Sequence, residues 1–183
     1  MRVALAAVVP LVLGPAGCVI DELTEDDVGT ERYCDGAHRW PVELAAHEDD
    51  LIDGIAALRR SGATCDDVRY NPVTPLELVP ELHCAARLHA TDLAVHDAAG
   101  PDGSDGSTPL SRANLSGYDG IPRYEMTAAN FTDADAVLAA WIAEPIHCTA
   151  LLDRKLRHFG VGHSRAADDS ATAFVLELGE PRS

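Results

Sequence analysis

The chain has 183 residues, which is enough for one domain of ordinary size with a real hydrophobic core. Apolar residues make up 46% of it, so the chain as a whole is not predicted to be disordered. It carries 14 basic and 30 acidic residues, for a formal net charge of -16. This excess of acid argues against a nucleic-acid partner and against electrostatic attraction to anionic lipid.

The N-terminus has the pattern of an export signal. Met1-Arg2 supplies a short positive region, and the apolar run Val3–Leu13 is too short to span a bilayer but suits a secretory signal. Small residues ahead of Cys18 resemble the cleavage box of a bacterial lipoprotein, after which Cys18 would be lipidated. Ordinary secretion is the alternative, because Pro15 replaces the usual aliphatic residue of that box. We predict a signal peptide over residues 1–18 and membrane contact only through a lipid on Cys18.

Residues 19–39 are acidic and nearly lack an apolar pattern, so we predict a solvated tether ahead of a domain that spans residues 40–183. The five cysteines suit an exported protein. If Cys18 carries lipid, the other four allow three pairings, and each disulfide would stabilise the fold by about 2–4 kcal/mol. Buried free thiols are the alternative. A zinc cluster is disfavoured because no two cysteines have Cys-x-x-Cys spacing.

Helices dominate the first part of the predicted domain. Apolar residues recur at helical spacing over Glu48–Ser61 and over about Glu81–Val95. A third helix begins after Thr132 and stops at Pro145, and a shorter one is predicted over Thr149–Leu156. The second helix carries an apolar stripe that includes two histidines: Leu82, Ala86, His89, Leu93 and His96.

Loops and strands fill the remainder. Residues 97–119 are predicted to be a loop with a short helical turn at Leu110–Leu115, and residues 124–127 a short segment leading to Asn130. His158–Ser164 and Ala171–Leu178 are predicted to be two strands joined by a turn. Helices followed by a hairpin indicate an α+β domain, in which helices pack on a small antiparallel sheet.

The residues that suggest chemistry are histidines and one glutamate. His147 follows the proline stop, so its position is fixed, and imidazole suits zinc, copper or proton transfer. Glu125 stands in an otherwise uncharged segment, and His89 and His96 lie on the second helix. A histidine on an apolar helix face is usually a hydrogen-bonded core residue, and we prefer that interpretation for His89. Glu125 has the alternative role of bonding backbone amides in a loop.

Several short motifs occur together in a recognisable order. They are Leu82-His-Cys-Ala-Ala-Arg-Leu-His-Ala-Thr-Asp-Leu93, Asp105-Gly-Ser107, Arg112, Gly117-Tyr118, Glu125, Trp141-Ile-Ala-Glu-Pro-Ile-His-Cys148 and Phe159-Gly-Val-Gly162. Their order and spacing resemble the bacterial branch of the CAP superfamily. That superfamily comprises cysteine-rich secretory proteins, antigen 5 and plant pathogenesis-related proteins, and its domain is also called the SCP-like extracellular domain. The resemblance extends from about residue 48 to the C-terminus.

The resemblance implies a three-layer α-β-α sandwich with a groove lined by two histidines and acidic residues, which bind zinc in some relatives. His147 matches the histidine after the tryptophan helix, and Glu125 matches the glutamate of the family's Gly-Glu-Asn segment. The position of the family's other histidine is Pro101 here, so His96 would have to take its place through a rearranged loop. The implied cavity therefore consists of His147, Glu125 and His96, with zinc as the candidate cofactor.

This chain departs from the family pattern at several positions. The Gly-Glu-Asn segment is Tyr124-Glu125-Met126, and the asparagine expected in the first helix is Ala56. These departures predict a divergent member that keeps the fold and has a changed cavity. By analogy with cysteine-bearing relatives, the resemblance pairs Cys65 with Cys148 and Cys34 with Cys84.

Two functions from different classes follow. The first is a non-enzymatic module of the cell envelope with a degenerate metal cavity, which binds a lipid, a glycan or a protein. The second is a metal-dependent hydrolase, protease-like, that uses the groove of His147 and Glu125. One histidine and one glutamate fall short of the three protein ligands typical of catalytic zinc, which favours the binding module. A structural lipoprotein without a small ligand is a third interpretation.

Overall fold

A computed structural model describes residues 23–25 and 28–182 of the chain. The fold is α+β, as predicted. The helices are α1 (Val42–Ser61), α2 (Pro80–Val95), α3 (Pro109–Leu115), α4 (Ala134–Ala143) and α5 (Pro145–Leu151), with one 3-10 helix at Arg32–Gly36. The strands are β1 (Leu23–Glu25), β2 (Arg39–Pro41), β3 (Ala63–Cys65), β4 (Val68–Tyr70), β5 (Glu77–Leu78), β6 (Ile121–Ala129), β7 (His158–Arg165) and β8 (Thr172–Glu180).

A four-stranded sheet forms the middle layer, in the order β5-β7-β8-β6. The long strands β6, β7 and β8 pair antiparallel, and the short β5 adds a parallel pair at the edge. Side chains alternate between the two faces of a strand. On one face, Leu176 and its alternate neighbours pack with α1, α4 and α5, whereas on the other, Val175 packs with the alanines of α2. The helices thus cover both faces of the sheet and form the predicted three layers.

The α2 helix lies unusually close to β7. A Cβ atom built on Gly160 or Gly162 would collide with the backbone of α2 at Leu82 and Ala86. Glycine is required at both positions because the helix backbone occupies the space of a side chain. This contact explains the Phe159-Gly-Val-Gly162 motif and sets the distance between α2 and the sheet.

A buried ion pair joins α1 to α2 at the edge of β7. The Arg87 Nη2 atom lies 2.6 Å from Glu48 Oε2, and both side chains are buried. Glu48 Oε1 also accepts a hydrogen bond of 2.9 Å from the backbone N–H of His163 on β7. The Glu48 carboxylate thus provides a hydrogen-bond acceptor for a backbone N–H group of β7 and links α1, α2 and β7.

Helix α1 and strand β6 have different boundaries from those predicted from the sequence. Helix α1 begins at Val42 rather than at Glu48, because the buried Leu44 extends its apolar face. Residues 121–129 form the strand β6 rather than a short segment, and a register shift between Pro122 and Tyr124 interrupts the pairing of this strand.

Pro145 begins a helix as well as ending one. Glu144 has extended backbone, as expected for a residue before proline, and Pro145 takes the first position of α5, where its missing N–H costs nothing. His147 therefore lies in the first turn of α5 and not in a loop. The helix predicted over Thr149–Leu156 accordingly starts earlier and ends at Leu151.

The predicted tether is shorter than residues 19–39. Val28 and Cys34 are fully buried, and β1 pairs with β2. Cys34 is disulfide-bonded to Cys84 in α2, so the chain from Val28 onward is part of the domain. The predicted signal peptide and the predicted lipidation site at Cys18 lie outside the described residues.

Two disulfides tie the domain together. Cys34 pairs with Cys84, and Cys65 pairs with Cys148, which is the pairing that the family resemblance implies. The first attaches the 3-10 helix to α2, and the second attaches the β3–β4 hairpin to α5. Within the described residues, no helix has both the length and the apolar character needed to cross a membrane.

Candidate functional site

A cluster of buried charges lies under α2 and α3, on the face of the sheet opposite α1. Glu125 on β6 and Glu177 on β8 are direct partners across the antiparallel pair, so their side chains leave the same face. Arg112 of α3 places Nη2 2.6 Å from Glu125 Oε2, and both side chains are 1% exposed. His89 of α2 places Nε2 3.5 Å from Glu125 Oε1.

Local sequence explains why Arg112 reaches this place. Helix α3 begins with a capping box, in which Thr108 and Ser111 each bond the other's backbone N–H, and Pro109 occupies the first turn. Arg112 therefore points from a fixed helix start toward the sheet. Its guanidinium also donates to the carbonyl oxygens of Pro101, at 2.7 Å, and Ser107, at 3.1 Å. One side chain thus ties the loop before α3 to strand β6.

His89 is held as a neutral hydrogen-bond donor. Its Nε2 atom lies 3.0 Å from the carbonyl oxygen of Gly100, which can only accept, so the ring proton is assigned to Nε2. Burial lowers the pKa of His89, outweighing the opposite effect of the Glu125 carboxylate. The Nδ1 atom is buried without a hydrogen-bond partner in the described part of the protein. Because Nε2 carries a proton toward Gly100, this nitrogen is not free to coordinate a metal.

Glu177 holds a proton in this cluster. Burial raises the pKa of Glu177 well above 4.5, and the neighbouring Glu125 carboxylate raises it further, while Arg112 acts in the opposite direction. The two carboxyl groups leave directly opposite positions of β6 and β8, where two negative charges would repel each other. The cluster therefore contains one neutral acid, one carboxylate, one guanidinium and one neutral imidazole.

Two grooves reach this cluster. The first has a volume of about 340 Å³, has Glu125 and Glu177 at its floor, and is bordered by Leu110 and Tyr124. The second has a volume of about 320 Å³ and reaches His89 and Arg112 past Asp105. Since the guanidinium of Arg112 is paired with Glu125, the grooves do not expose a pair of free carboxylates.

The structure does not bring His147, Glu125 and His96 together. Met126, next to Glu125, packs with α1, α4 and α5, so Glu125 itself faces the opposite side of the sheet from α5, which carries His147. His96 ends α2 with its side chain 52% exposed, and it bonds Asp92 one turn earlier. Nowhere in residues 23–25 and 28–182 do three or more His, Cys, Asp or Glu side chains form a group that could hold a metal ion.

The cluster contains His89, which the sequence predicts as a hydrogen-bonded core residue and which bonds the carbonyl oxygen of Gly100. Arg112 is visible in the sequence only as part of a motif, and Glu177 belongs to none of the motifs. The signal for Glu177 was available, since it is a lone charge within the apolar run Ala-Phe-Val-Leu-Glu-Leu of a predicted strand. A charge at such a position is buried, and a buried charge requires a partner.

The profile of one protein family, described as CAP, the cysteine-rich secretory protein family, matches residues 52–178 of the chain. Because that match covers more than half of the sequence, the chain belongs to the CAP family. None of the curated proteins compared with the chain matches it.

Solved structures from bacteria share the fold. An outer surface protein from Borrelia burgdorferi has a TM-score of 0.61 and 22% identity, covering 75% of this chain and 94% of that one. An extracellular protein containing a SCP domain from Bacillus anthracis has a TM-score of 0.57 and 18% identity, covering 78% of this chain and 44% of that one. A cysteine-rich secretory protein from Staphylococcus aureus has a TM-score of 0.52 and 15% identity, covering 78% of this chain and 40% of that one.

Proposed function

We propose that this chain is an exported CAP domain of the cell envelope that acts by binding and not by metal-dependent catalysis. The observation that carries the proposal is the guanidinium of Arg112, which lies 2.6 Å from the Glu125 carboxylate. An internal cation takes the place that a divalent ion would need on this carboxylate. The cavity is then a degenerate form of the family's metal-binding groove.

The remaining groups of the cluster support the same interpretation. At the family's second histidine position this chain has Pro101, whose carbonyl oxygen accepts a hydrogen bond from Arg112. His89 donates its Nε2 proton to the carbonyl oxygen of Gly100, and burial raises the pKa of Glu177, which favours its neutral form. Catalytic zinc sites use three protein ligands with an open position for water. These residues do not fit such a site, so we derive no catalytic step through a metal.

Export to an oxidising space is part of the proposal. Its supports are the two disulfides, which are typical of extracytoplasmic proteins, and the signal-like N-terminus. Two of the similar structures are described as an outer surface protein and an extracellular protein. Lipidation of Cys18 stays a prediction, which the mass of the processed N-terminus beside a Cys18→Ser variant would test.

A zinc titration by calorimetry tests the absence of a metal site. We expect the disulfide-intact protein to show no zinc binding that depends on Glu125. Glu125→Gln removes the candidate ligand, and Glu144→Gln is the matched control, since Glu144 is an exposed acid next to α5. Wild type and both variants should give the same weak heats.

The hydrolase alternative makes the opposite prediction. If it is correct, wild type binds about one equivalent of zinc, Glu125→Gln loses that binding, and Glu144→Gln keeps it. Zinc-loaded wild type would then also cleave an unstructured protein such as casein, and Glu125→Gln would not. That pattern would overturn the proposed binding role.

A further inference from the structure

A third and larger groove lies beside the groove over Glu125, with which it shares Tyr124. Residues 69–73, after the β3–β4 turn, form one wall, and residues 149–155, from α5 to the following loop, form the other. Its volume is about 650 Å³, nearly twice that of the groove over Glu125. Ligand sites for small molecules typically have volumes of about 300–1,000 Å³. We call it the basic groove.

Positive charge collects here in a strongly acidic chain. Arg69, Arg154 and Lys155 line the groove, and within the described residues none of them has a carboxylate partner. By contrast, five other arginines are ion-paired: Arg87, Arg112, Arg123, Arg165 and Arg182. The carboxylate on the groove wall, Asp153, accepts a hydrogen bond of 2.8 Å from the Lys155 backbone N–H.

A buried arginine holds the two walls in place. The side chain of Arg59, at the end of α1, is fully buried. It donates to the carbonyl oxygens of Thr74, at 2.9 Å, beyond one wall, and of Leu151, at 2.6 Å, and Leu156, at 3.1 Å, beside the other. Burial lowers the pKa of Arg59 to about 10, so it remains a cation at neutral pH behind the groove.

The second disulfide braces the same walls. Cys65 ends β3, just before the turn that leads to Arg69, and Cys148 immediately precedes Thr149. With Arg59 and this disulfide in place, little rearrangement is needed before a ligand enters. A preorganised site loses less free energy on binding than a flexible one.

We propose that the basic groove binds a phosphate-bearing sugar. The three unpaired cations suit a phosphate group, since arginine presents several N–H donors to its oxygens. Tyr70 and Tyr124 supply ring surface, and Asn71 and Thr149 supply polar groups for hydroxyls. A cleft lined mainly by positive charges focuses their field locally even when the whole protein is acidic. This inference rests on the proposed binding role and names the ligand class.

Calorimetry with glucose 6-phosphate tests the site, with glucose as the uncharged control. The variant Arg154→Gln/Lys155→Gln removes two groove cations from an exposed loop. Its matched control is Arg32→Gln/Arg39→Gln, which removes two exposed cations that do not line the groove. We expect saturable, salt-sensitive binding by wild type, a loss of at least about tenfold in the groove variant, and no loss in the control.

Lys155 gives an independent readout because it is the chain's single lysine. Acylation by an amine-specific reagent, followed by peptide mass spectrometry, reports whether its ammonium is covered. We expect glucose 6-phosphate to slow acylation of Lys155 and to leave the N-terminal amine unaffected. Equal rates with and without ligand would contradict the proposal.

The source of the phosphate is distinguished with phosphatidylglycerol vesicles. If the protein binds vesicles and glucose 6-phosphate displaces it, the site stands and the phosphate belongs to a lipid headgroup. The proposal is overturned if neither probe binds saturably. It is also overturned if both double variants lose the same amount of affinity for glucose 6-phosphate. The binding role itself would survive that result if zinc titration still gave no Glu125-dependent site, so the two failures are separable.

Discussion

At the scale of single residues, Arg112 and Glu177 determine what the central cluster can do. Arg112 neutralises Glu125, while burial, and then the Glu125 carboxylate directly opposite on the neighbouring strand, raises the pKa of Glu177 and favours its neutral form. The cluster is therefore close to electrical balance without any bound ion. A buried, balanced group of this kind positions α2 and α3 on the sheet, because α2 supplies His89 and α3 supplies Arg112.

The protonation of Glu177 predicts a pH effect on stability. The unfolded chain releases this proton near pH 4.5, whereas the folded protein keeps it to higher pH. The folded state then binds more protons, so this group lowers stability as pH rises through that window, by at most about 1.4 kcal/mol per pH unit. Glu177→Gln keeps a hydrogen-bond donor and removes the titration.

We therefore expect Glu177→Gln to be more stable than wild type at pH 7 and to lose that advantage by pH 4. Guanidinium unfolding of both proteins across this range measures the difference. A variant that is less stable at pH 7 would mean that Glu177 is ionised and paired with Arg112.

At the scale of secondary structure elements, the contact between α2 and β7 is the tightest feature of the fold. Ala86 and Ala90 of α2 pack on Ala173 and Val175 of β8, and the helix backbone lies directly against Gly162. Small residues on both sides allow this approach. It brings His89 deep enough to reach Gly100 and the carboxylate of Glu125.

Gly162→Ala should destabilise the protein through this contact. The new methyl group would overlap the backbone of α2 at Ala86, where no side chain can rotate away, so the helix must shift. We expect a loss of about 3 kcal/mol in the free energy of unfolding. Gly36→Ala is the control, because its Cβ would meet only the Leu88 side chain, at 3.3 Å. Equal, small losses would contradict the close packing.

At the scale of the whole molecule, the two disulfides join parts that are distant in sequence. Cys34 and Cys84 are separated by 50 residues, and Cys65 and Cys148 by 83. The first fixes the N-terminal segment to the α2 layer, and the second fixes the β3–β4 hairpin to the α5 layer. Together they hold a segment to each outer layer of the sandwich.

Removing either disulfide should cost much of the stability. The chain-entropy model gives about 4 kcal/mol for loops of these lengths. We expect Cys34→Ala/Cys84→Ala and Cys65→Ala/Cys148→Ala each to lower the free energy of unfolding by roughly that amount, as measured by guanidinium denaturation of the exported proteins. A loss below about 1 kcal/mol for either pair would show that the native packing already restrains those ends.

The sequence by itself determined the layout of the domain. Helical spacing was sufficient for α2 and α4, and short apolar runs bounded by a turn were sufficient for β7 and β8, whose residues are buried on both faces of the sheet. The order of motifs was sufficient for the family, and the resemblance implied the two disulfide pairings. Strand β6 was missed because the bulge at Pro122 and the buried Glu125 break its alternation.

Only the tertiary structure decided which polar groups meet. Neighbouring residues of a strand face opposite sides of a sheet, so Glu125 joins Arg112 and His89 while α5 carries His147 on the far side. Arg59 likewise looks in the sequence like one of two adjacent arginines at a helix end, yet it is buried and holds both walls of the basic groove. Local patterns set which face of an element is buried, whereas contacts between side chains far apart in sequence depend on how the layers stack.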